Sequence, residues 1–260
     1  MNIIVLVKQV PNTTEMKIDK EKGTLIRDGV DTIVNPDDMA SIELALRIKD
    51  EHPNTHVRVM TMGPAQAKNM LTDLYGYGID DCVLLCAREF AGSDTWATSF
   101  TLAEAIKDYP YDLILAGRQA IDGDTAQVGP QVAQHLHIPQ ITYVSKVNEI
   151  SAEKIQVTKH YEDYDEILEA KFPLLLTTLA DEVDVRLANF TDTWNAENKE
   201  ITVLDQQQLQ LDPANIGLKG SLTQVKKTFV RPVSKKGEMI EEDVDLAAKR
   251  IAEMLTSASQ

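Results

Sequence analysis

The chain has 260 residues, 43% of them hydrophobic, which suffices for one large domain with an extension or for two small domains. Its formal net charge of −15 argues against nucleic acid or an anionic membrane surface as a partner, because binding to phosphate groups there depends on clustered Lys and Arg. We find no apolar stretch of membrane-spanning length and no cleavage region after the N-terminal apolar run, so we expect no membrane insertion and a cytoplasmic location.

The first half of the chain alternates predicted strands with predicted helices. Residues 2–7 predict the first strand, and residues 17–28, which alternate loosely around Lys22-Gly23, predict an inserted hairpin. The sequence NPDD at residues 35–38 predicts a helix start, with Asn35 as the cap and a proline in the first helical position. Further strands at residues 57–62 and 82–86 are followed by helices at 65–75 and 94–107, which indicates a parallel sheet with right-handed crossovers.

The cysteine and histidine residues of the sequence indicate neither a metal site nor nucleophilic catalysis. Cys82 and Cys86 lie about 13 Å apart on one predicted strand at roughly 3.3 Å per residue, too far for a disulfide, and we interpret them as core thiols. His135, His137 and His160 have no metal-ligand spacing, and no Ser/His/Asp or Cys/His set is apparent. The AGSDT sequence at residues 91–95 weakly resembles the pyrophosphate loops of ATP-dependent ligases, but it lacks their paired glycines, so we interpret it as a helix cap.

The most informative stretch is residues 111–130, YDLILAGRQAIDGDTAQVGP. A short apolar run ends at Gly117, a loop around Gly123 follows, and a helical pattern begins after it. Asp124 or Thr125 would cap that helix, or the regular helix begins only at Pro130. In either case residues 123–128 present backbone amides at the positive end of a helix, where an anion binds well. The alternative is an ordinary loop between a strand and a helix.

Beyond residue 139 the pattern changes. Residues 141–147, 154–160, 166–172 and 174–179 predict strands joined by short turns, and hence an antiparallel addition to the edge of the sheet. The sequence is polar and without clear periodicity from residue 181, until residues 243–255 predict an amphipathic helix. This helix has too little apolar surface to form a core alone, so it packs on the main domain or on a partner.

Several stretches together carry a resemblance to a known family. In chain order these stretches are IIVLVKQVP, VNPDDMASIELAL, TMGPAQAK, SDTWATSFTLAEAI, GRQAIDGDTAQVGP and GSLTQV. The chain resembles the β (small) subunit of electron transfer flavoproteins, in which similar stretches occur in the same order. The resemblance implies an α/β fold, a Rossmann-like nucleotide-binding domain with a mainly parallel sheet and an antiparallel edge over residues 1–184. It also implies a docking loop and a C-terminal arm that contacts the α subunit over residues 185–260.

The implied function is that of a heterodimeric electron carrier between flavin dehydrogenases. Its expected partners are the α subunit and a flavin-containing acyl-CoA or related dehydrogenase. Any NADH-dependent bifurcating activity would belong to the complex and not to this subunit alone.

The loop also bears on which nucleotide is bound. In family members that hold only AMP in this subunit, the corresponding loop resembles a run of three consecutive acidic residues. The loop here resembles instead that of relatives that bind a second FAD and bifurcate electrons. Gly123 in place of an aspartate removes one negative charge from the approach of a phosphate and permits a close turn. We therefore expect FAD. The alternatives are AMP in a single-flavin carrier, or an ATP- or AMP-binding module without redox function.

The resemblance assigns cofactor-binding roles residue by residue, with the turn at residues 35–38 on the adenosine side and Gly123, Thr125 and Gln127 on the pyrophosphate or flavin side. The expected binding residues are Leu6, Asn35, Pro36, Asp37, Asp38, Met62, Gly117, Arg118, Gln119, Ala120, Ile121, Asp122, Gly123, Asp124, Thr125, Ala126, Gln127 and Val128.

A docking role is implied for Phe190, which aligns with an apolar anchor that inserts into a partner dehydrogenase in relatives. The alternative is that Phe190 packs on its own domain. The surrounding sequence, RLANFTDTWNAENKEI, departs from the family pattern, because Asn195, Glu197, Asn198 and Glu200 occupy positions that are usually basic. A basic docking face is thus neutralised or reversed here, so the partner choice of better known relatives does not carry over to this chain.

Overall fold

The computed structural model describes residues 1–12, 17–18, 25–26, 31–226, 240 and 243–258. The strands are β1 Asn2–Leu6, β2 Gln9–Pro11, β3 Lys17–Ile18, β4 Leu25–Ile26, β5 Thr32–Val34, β6 His56–Met62, β7 Asp81–Leu85, β8 Leu113–Gly117, β9 Gln140–Ile150, β10 Lys154–His160, β11 Asp165–Lys171, β12 Leu174–Thr178 and β13 Ile201–Leu204. The α-helices are α1 Pro36–Glu51, α2 Ala67–Tyr75, α3 Thr95–Ile106, α4 Val128–Leu136, α5 Phe190–Ala196, α6 Gly217–Gly220 and α7 Val244–Ala258.

The largest sheet of the described residues has nine strands in the order β11-β10-β9-β12-β8-β1-β6-β7-β13. Its central strands are parallel, with Val5 of β1 opposite Val59 of β6 and Leu115 of β8. At one end of the sheet, β10 is antiparallel to both of its neighbours, β9 and β11. This arrangement confirms the expected α/β class, a mainly parallel sheet with an antiparallel edge.

Helices cover both faces of the sheet because neighbouring residues of a strand point to opposite sides. In β1, Ile3 and Val5 pack in one buried cluster with residues of α1 and α2, whereas Ile4 and Leu6 pack in a second cluster with residues of α3 and α4. A strand that is buried on both faces reads as a continuous apolar run, as β1 and β8 do. The carboxyl ends of these strands are therefore left as the open edge of the layer.

Most predicted elements are confirmed to within a few residues, and the pairing of one strand needs correction. The strand at 174–179 was expected in the antiparallel addition, but β12 pairs in parallel with both β8 and β9. All five of its residues are buried, as is typical of an interior parallel strand. The predicted hairpin has its paired strands, β3 and β4, while its Lys22-Gly23 turn lies outside the described residues.

The polar stretch from residue 181 contains more structure than its sequence indicates. It includes α5 and β13, and β13 pairs in parallel with β7 at the edge of the main sheet. The sheet therefore continues beyond the expected domain boundary at residue 184. In α7, apolar side chains such as Val244, Ile251 and Leu255 are exposed. Among the residues described, no helix has the length and apolarity that crossing a membrane requires.

Candidate functional site

A cleft of about 920 Å³ lies along the carboxyl ends of β8, β1, β6 and β7. This is the edge where open α/β sheets bind ligands, and the volume is near the upper end of the range of about 300 to 1,000 Å³ for small-molecule sites. The expected binding residues that line it are Leu6, Asp38, Met62, Gly117, Arg118, Gln119, Ala120, Gly123, Thr125, Ala126, Gln127 and Val128. The structure thus brings both ends of the expected site to one cavity.

The loop between β8 and α4, residues 118–127, forms one wall of this cleft. The amides of Gly123 and Asp124 both donate to the carbonyl oxygen of Ala120, at 3.1 and 2.9 Å, and close a turn. Asp124 and Ala126 then adopt left-handed φ values of 50° and 52°. In the part of the chain that is described, no protein group accepts a hydrogen bond from the amides of residues 125–128. These amides are therefore open to an acceptor from outside, such as a bound anion.

The start of α4 differs from both sequence expectations. The helix begins at Val128, and neither Asp124 nor Thr125 caps it, since Gln127 occupies the cap position without a side-chain hydrogen bond. The carboxylate of Asp124 instead accepts from Nε2 of Gln119 at 3.1 Å. Pro130 is the third residue of the helix, where its missing N–H removes no intrahelical hydrogen bond. The amides at this end therefore remain available to a ligand.

Asn35 was expected to cap α1, and it occupies the cap position, but its side chain makes no capping hydrogen bond. It is fully buried, its Nδ2 donates to the carbonyl oxygen of Gln119 at 2.8 Å, and its Oδ1 accepts from the amide of Ile121 at 3.1 Å. Asp37 acts on the same loop, because its Oδ2 lies 3.3 Å from both the amide of Gln119 and Nε of Arg118. These two side chains hold the β8–α4 loop from behind.

Asp38 lies on the cleft wall and joins two strand ends. Its Oδ2 accepts from the amide of Lys8 at 2.8 Å, after β1, and its Oδ1 accepts from the amide of Gly117 at 3.0 Å, at the end of β8. Burial raises the pKa of this carboxyl to about 7, although hydrogen bonds from the Asn35 side chain and from the two amides favour its charged form. A Cβ at position 117 would lie only 2.2 Å from Oδ1 of Asp38, so this close approach requires glycine.

Of the turn expected on the adenosine side, only Asp38 therefore lines the cleft. Asn35, Pro36 and Asp37 do not line it, and neither do Ile121, Asp122 and Asp124 of the β8–α4 loop.

Sequence reasoning missed the opposite wall of the cleft. Residues 91–95, interpreted only as a helix cap, line it, and Asp94 does cap α3 by accepting from the amide of Ala97 at 3.0 Å. The other oxygen of Asp94 accepts from the amide and the hydroxyl of Thr223, at 2.8 and 2.9 Å. This contact brings the GSLTQV stretch to the cleft, where Val225 lines it. The only sequence signal was that this stretch recurs in the family.

The two cysteines also differ from each other. Cys82 is buried, as expected of a core thiol, and burial raises its pKa to about 12. Cys86 is partly buried and packs against the core as expected, but it also lines the cleft. Among the described residues, no cluster of His, Cys, Asp and Glu could hold a metal ion.

Phe190 lies on a separate surface, at the start of α5. Its side chain is 80% exposed and does not pack on its own domain, and the 75% exposed Trp194 stacks beside it with ring centroids 6.3 Å apart. Sequence reasoning did not single out Trp194. The helix is anchored to α2, because the amide of Asn189 donates to the carbonyl oxygen of Gly76 at 2.6 Å. The structure therefore presents two aromatic rings on a fixed base.

An ion-pair network fixes the chain just before α5. Arg186 contacts Glu43 at 2.8 Å and Asp50 at 2.7 Å. Burial alone would raise the pKa of Glu43, but hydrogen bonds from Arg186 and Arg47 hold this pKa below its ordinary value.

Comparison with known proteins identifies the family. Residues 22–209 match the electron transfer flavoprotein domain. The chain is 48% identical over 255 residues to the electron transfer flavoprotein subunit beta of Clostridium acetobutylicum, covering 98% of each chain. It is 48% identical to the caffeyl-CoA reductase-Etf complex subunit CarD of Acetobacterium woodii, covering 92% of each chain. It is 42% identical to the acryloyl-CoA reductase electron transfer subunit gamma of Anaerotignum propionicum, covering 93% of this chain and 92% of the relative. The chain therefore belongs to the electron transfer flavoprotein family, as a β subunit.

Proposed function

We propose that this β subunit binds FAD in the cleft and, together with an α subunit, passes electrons between flavin dehydrogenases. The observation that carries the proposal is the β8–α4 loop, where the amides of residues 125–128 are open to a phosphate beside the unobstructed position of Gly123. Oriented amides at the start of a helix favour a bound anion.

The dimensions of the cleft favour FAD over AMP. FAD contains the whole of AMP and adds a second phosphate, a ribityl chain and the flavin ring. The cleft reaches from the β8–α4 loop across β1 and β6 to residues that follow β7, such as Arg88 and Phe90. A mononucleotide at the loop would leave the far part of this cavity unfilled. Gly123 supports the same choice, because glycine adds neither a charge nor a side chain beside the amides that would hold a second phosphate.

In this proposal the protein binds, orients and shields the cofactor, and bound FAD supplies the electron-transfer chemistry. The amides of residues 125–128 hold phosphate oxygens. Met62, Pro64 and Ala65, at the end of β6, give an apolar wall that excludes water from a ring placed on it. Asn35 and Asp37 contribute indirectly, by fixing the loop that carries these amides.

The proposed partners follow from surfaces on the chain and from the names of relatives. Two of the relatives are named as subunits of caffeyl-CoA and acryloyl-CoA reductases, which supports a flavin-containing dehydrogenase of acyl-CoA type as the partner. Phe190 and Trp194 supply its docking surface. The exposed apolar residues of α7 support a role for this helix in binding the α subunit. Residues 185–260, apart from β13, then form the docking loop and the arm.

A second flavin would also permit electron bifurcation, in which the pair from one donor is divided between two acceptors. We include this activity, and a cytoplasmic location, in the proposal. Bifurcation requires FAD in both subunits, so the identity of the nucleotide in this cleft decides it.

The test is the absorption spectrum of the purified heterodimer, followed by acid release and chromatographic identification of its ligands. We expect FAD in both subunits after reconstitution with excess FAD. One FAD together with one AMP would refute FAD binding here and indicate a single-flavin carrier. A colourless complex that releases only AMP or ATP would refute the electron-transfer function itself.

A further inference from the structure

Lys8 is a cation on the cleft wall that the expected binding set does not include. It follows β1, a central strand of the sheet, and it lines the cleft together with the β8–α4 loop. Its backbone amide donates to the carboxylate of Asp38 at 2.8 Å, so its side chain starts from a fixed point. Its ammonium contacts both carboxylate oxygens of Asp122, at 2.6 and 2.8 Å. Lys8 therefore reaches the same loop that carries the open amides.

The ion pair between Lys8 and Asp122 is exposed and hence easily exchanged. The two side chains are 49% and 30% exposed, and pairs of this kind contribute little to stability. A pyrophosphate is a better partner for an ammonium than a solvated carboxylate, because its two phosphates together carry two negative charges and would also be held by neighbouring amides. An anion bound at residues 125–128 will thus compete with Asp122 for the ammonium of Lys8.

The other cations of the cleft are differently placed. Nε of Arg118 lies 3.3 Å from Oδ2 of Asp37, whose side chain is only 9% exposed, so this guanidinium is paired by charge, without a hydrogen bond from Nε, to a buried carboxylate. Arg88 is exposed and follows β7, at the far end of the cleft from the β8–α4 loop. Lys8 combines a position beside the loop with a weakly held partner.

We propose that Lys8 binds a phosphate of the nucleotide in this cleft, and that its ammonium leaves Asp122 when the nucleotide enters. This inference rests on the proposed function, since it requires a phosphate-containing ligand at the β8–α4 loop. In this inference, the carboxylate of Asp122 neutralises the charge of Lys8 while no phosphate is bound.

The experiment measures the affinity of the heterodimer, stripped of the nucleotide in this cleft, for FAD by calorimetric titration at several salt concentrations, with AMP as a second probe. In Lys8→Met we expect the dissociation constant to rise by roughly ten- to a hundredfold and to depend less on salt. In Asp122→Asn we expect tighter binding, because the competing carboxylate is removed. Lys107→Met is the matched control, since Lys107 and Glu104 form an ion pair at the C-terminal end of α3, with exposures of 48% and 29%.

The dissociation constant should change in opposite directions in Lys8→Met and Asp122→Asn, and this distinguishes phosphate binding from a purely structural role of the ion pair. If the pair only held the loop in place, Lys8→Met and Asp122→Asn would weaken binding alike, and this result would overturn the inference. In the double variant, the gain from Asp122→Asn should disappear, because there is no ammonium to release. Unchanged affinity in Lys8→Met, with normal binding by the unmutated heterodimer, would also overturn it and leave the proposed function intact. Failure of the unmutated heterodimer to bind either probe would overturn both.

Discussion

Replacing Gly123 by aspartate tests the proposed FAD site at its most accessible point. A Cβ built at position 123 meets no other atom within 4 Å, so the structure has room for the new side chain. The residue does not adopt a left-handed φ, and the backbone therefore tolerates the change as well. Any loss of flavin in Gly123→Asp must then come from the added negative charge beside the bound phosphates.

The size of this effect follows from Coulomb's law. Two like charges about 6 Å apart repel by about 3 kcal/mol at an effective dielectric constant of about 20, the value suited to sites near a protein surface. Counterions in solution and the exposure of the loop reduce this repulsion, so we expect a loss of about 1 to 3 kcal/mol in binding free energy. At 25 °C this loss corresponds to a dissociation constant for FAD that is about 5 to 150 times higher.

The assay counts the flavin that remains in the purified heterodimer and measures the dissociation constant by titration with FAD. Gly123→Asn is the matched control, because asparagine has the shape of aspartate without its charge. We expect Gly123→Asp to lose the flavin of this subunit at low FAD concentration and Gly123→Asn to retain it. Equal loss in both variants would refute the electrostatic argument, and full retention by Gly123→Asp would show that the phosphates lie elsewhere.

Three further predictions concern the partner surfaces and the cleft wall. Removal of residues 243–260 should weaken heterodimer formation, because α7 exposes apolar side chains that need a partner; an unchanged association constant would contradict this. Phe190→Ala should slow electron delivery to the dehydrogenase without changing folding or flavin content. The control Tyr164→Ala, which removes a 60% exposed ring near β11, should leave electron delivery unchanged. Equal turnover in the unmutated protein and in both variants would refute the docking role. Burial raises the pKa of Asp38 from 3.8 to about 7, so between these two pH values the folded state keeps a proton that the unfolded state releases. The free energy of unfolding should therefore fall as the pH rises from 3.8 to about 7, by at most about 1.4 kcal/mol per pH unit. Asp38→Asn should flatten this dependence in urea unfolding, and the same slope in both proteins would count against the raised pKa.

The amino-acid sequence by itself determined the elements and their class, because local pattern carries that information. The apolar run before Gly117 and the proline at position 36 place a strand and a helix start within a few residues of where they occur. The order of strands and helices then predicts the parallel sheet, and the loop sequence predicts where an anion can bind. Family motifs added the β-subunit assignment, which the comparisons confirm.

Tertiary structure alone decided which polar groups line the cleft and which form hydrogen bonds within the protein. Asn35 reads as a helix cap, yet its amide group satisfies the β8–α4 loop, whose residues are more than eighty positions away. Asp94 and Thr223 are separated by 129 positions, but together they close the far wall. Hydrogen bonds of this kind depend on distances between strand ends, and no local periodicity encodes those distances. The sequence thus specified the groups available for binding, and only the packing of the sheet decided their partners.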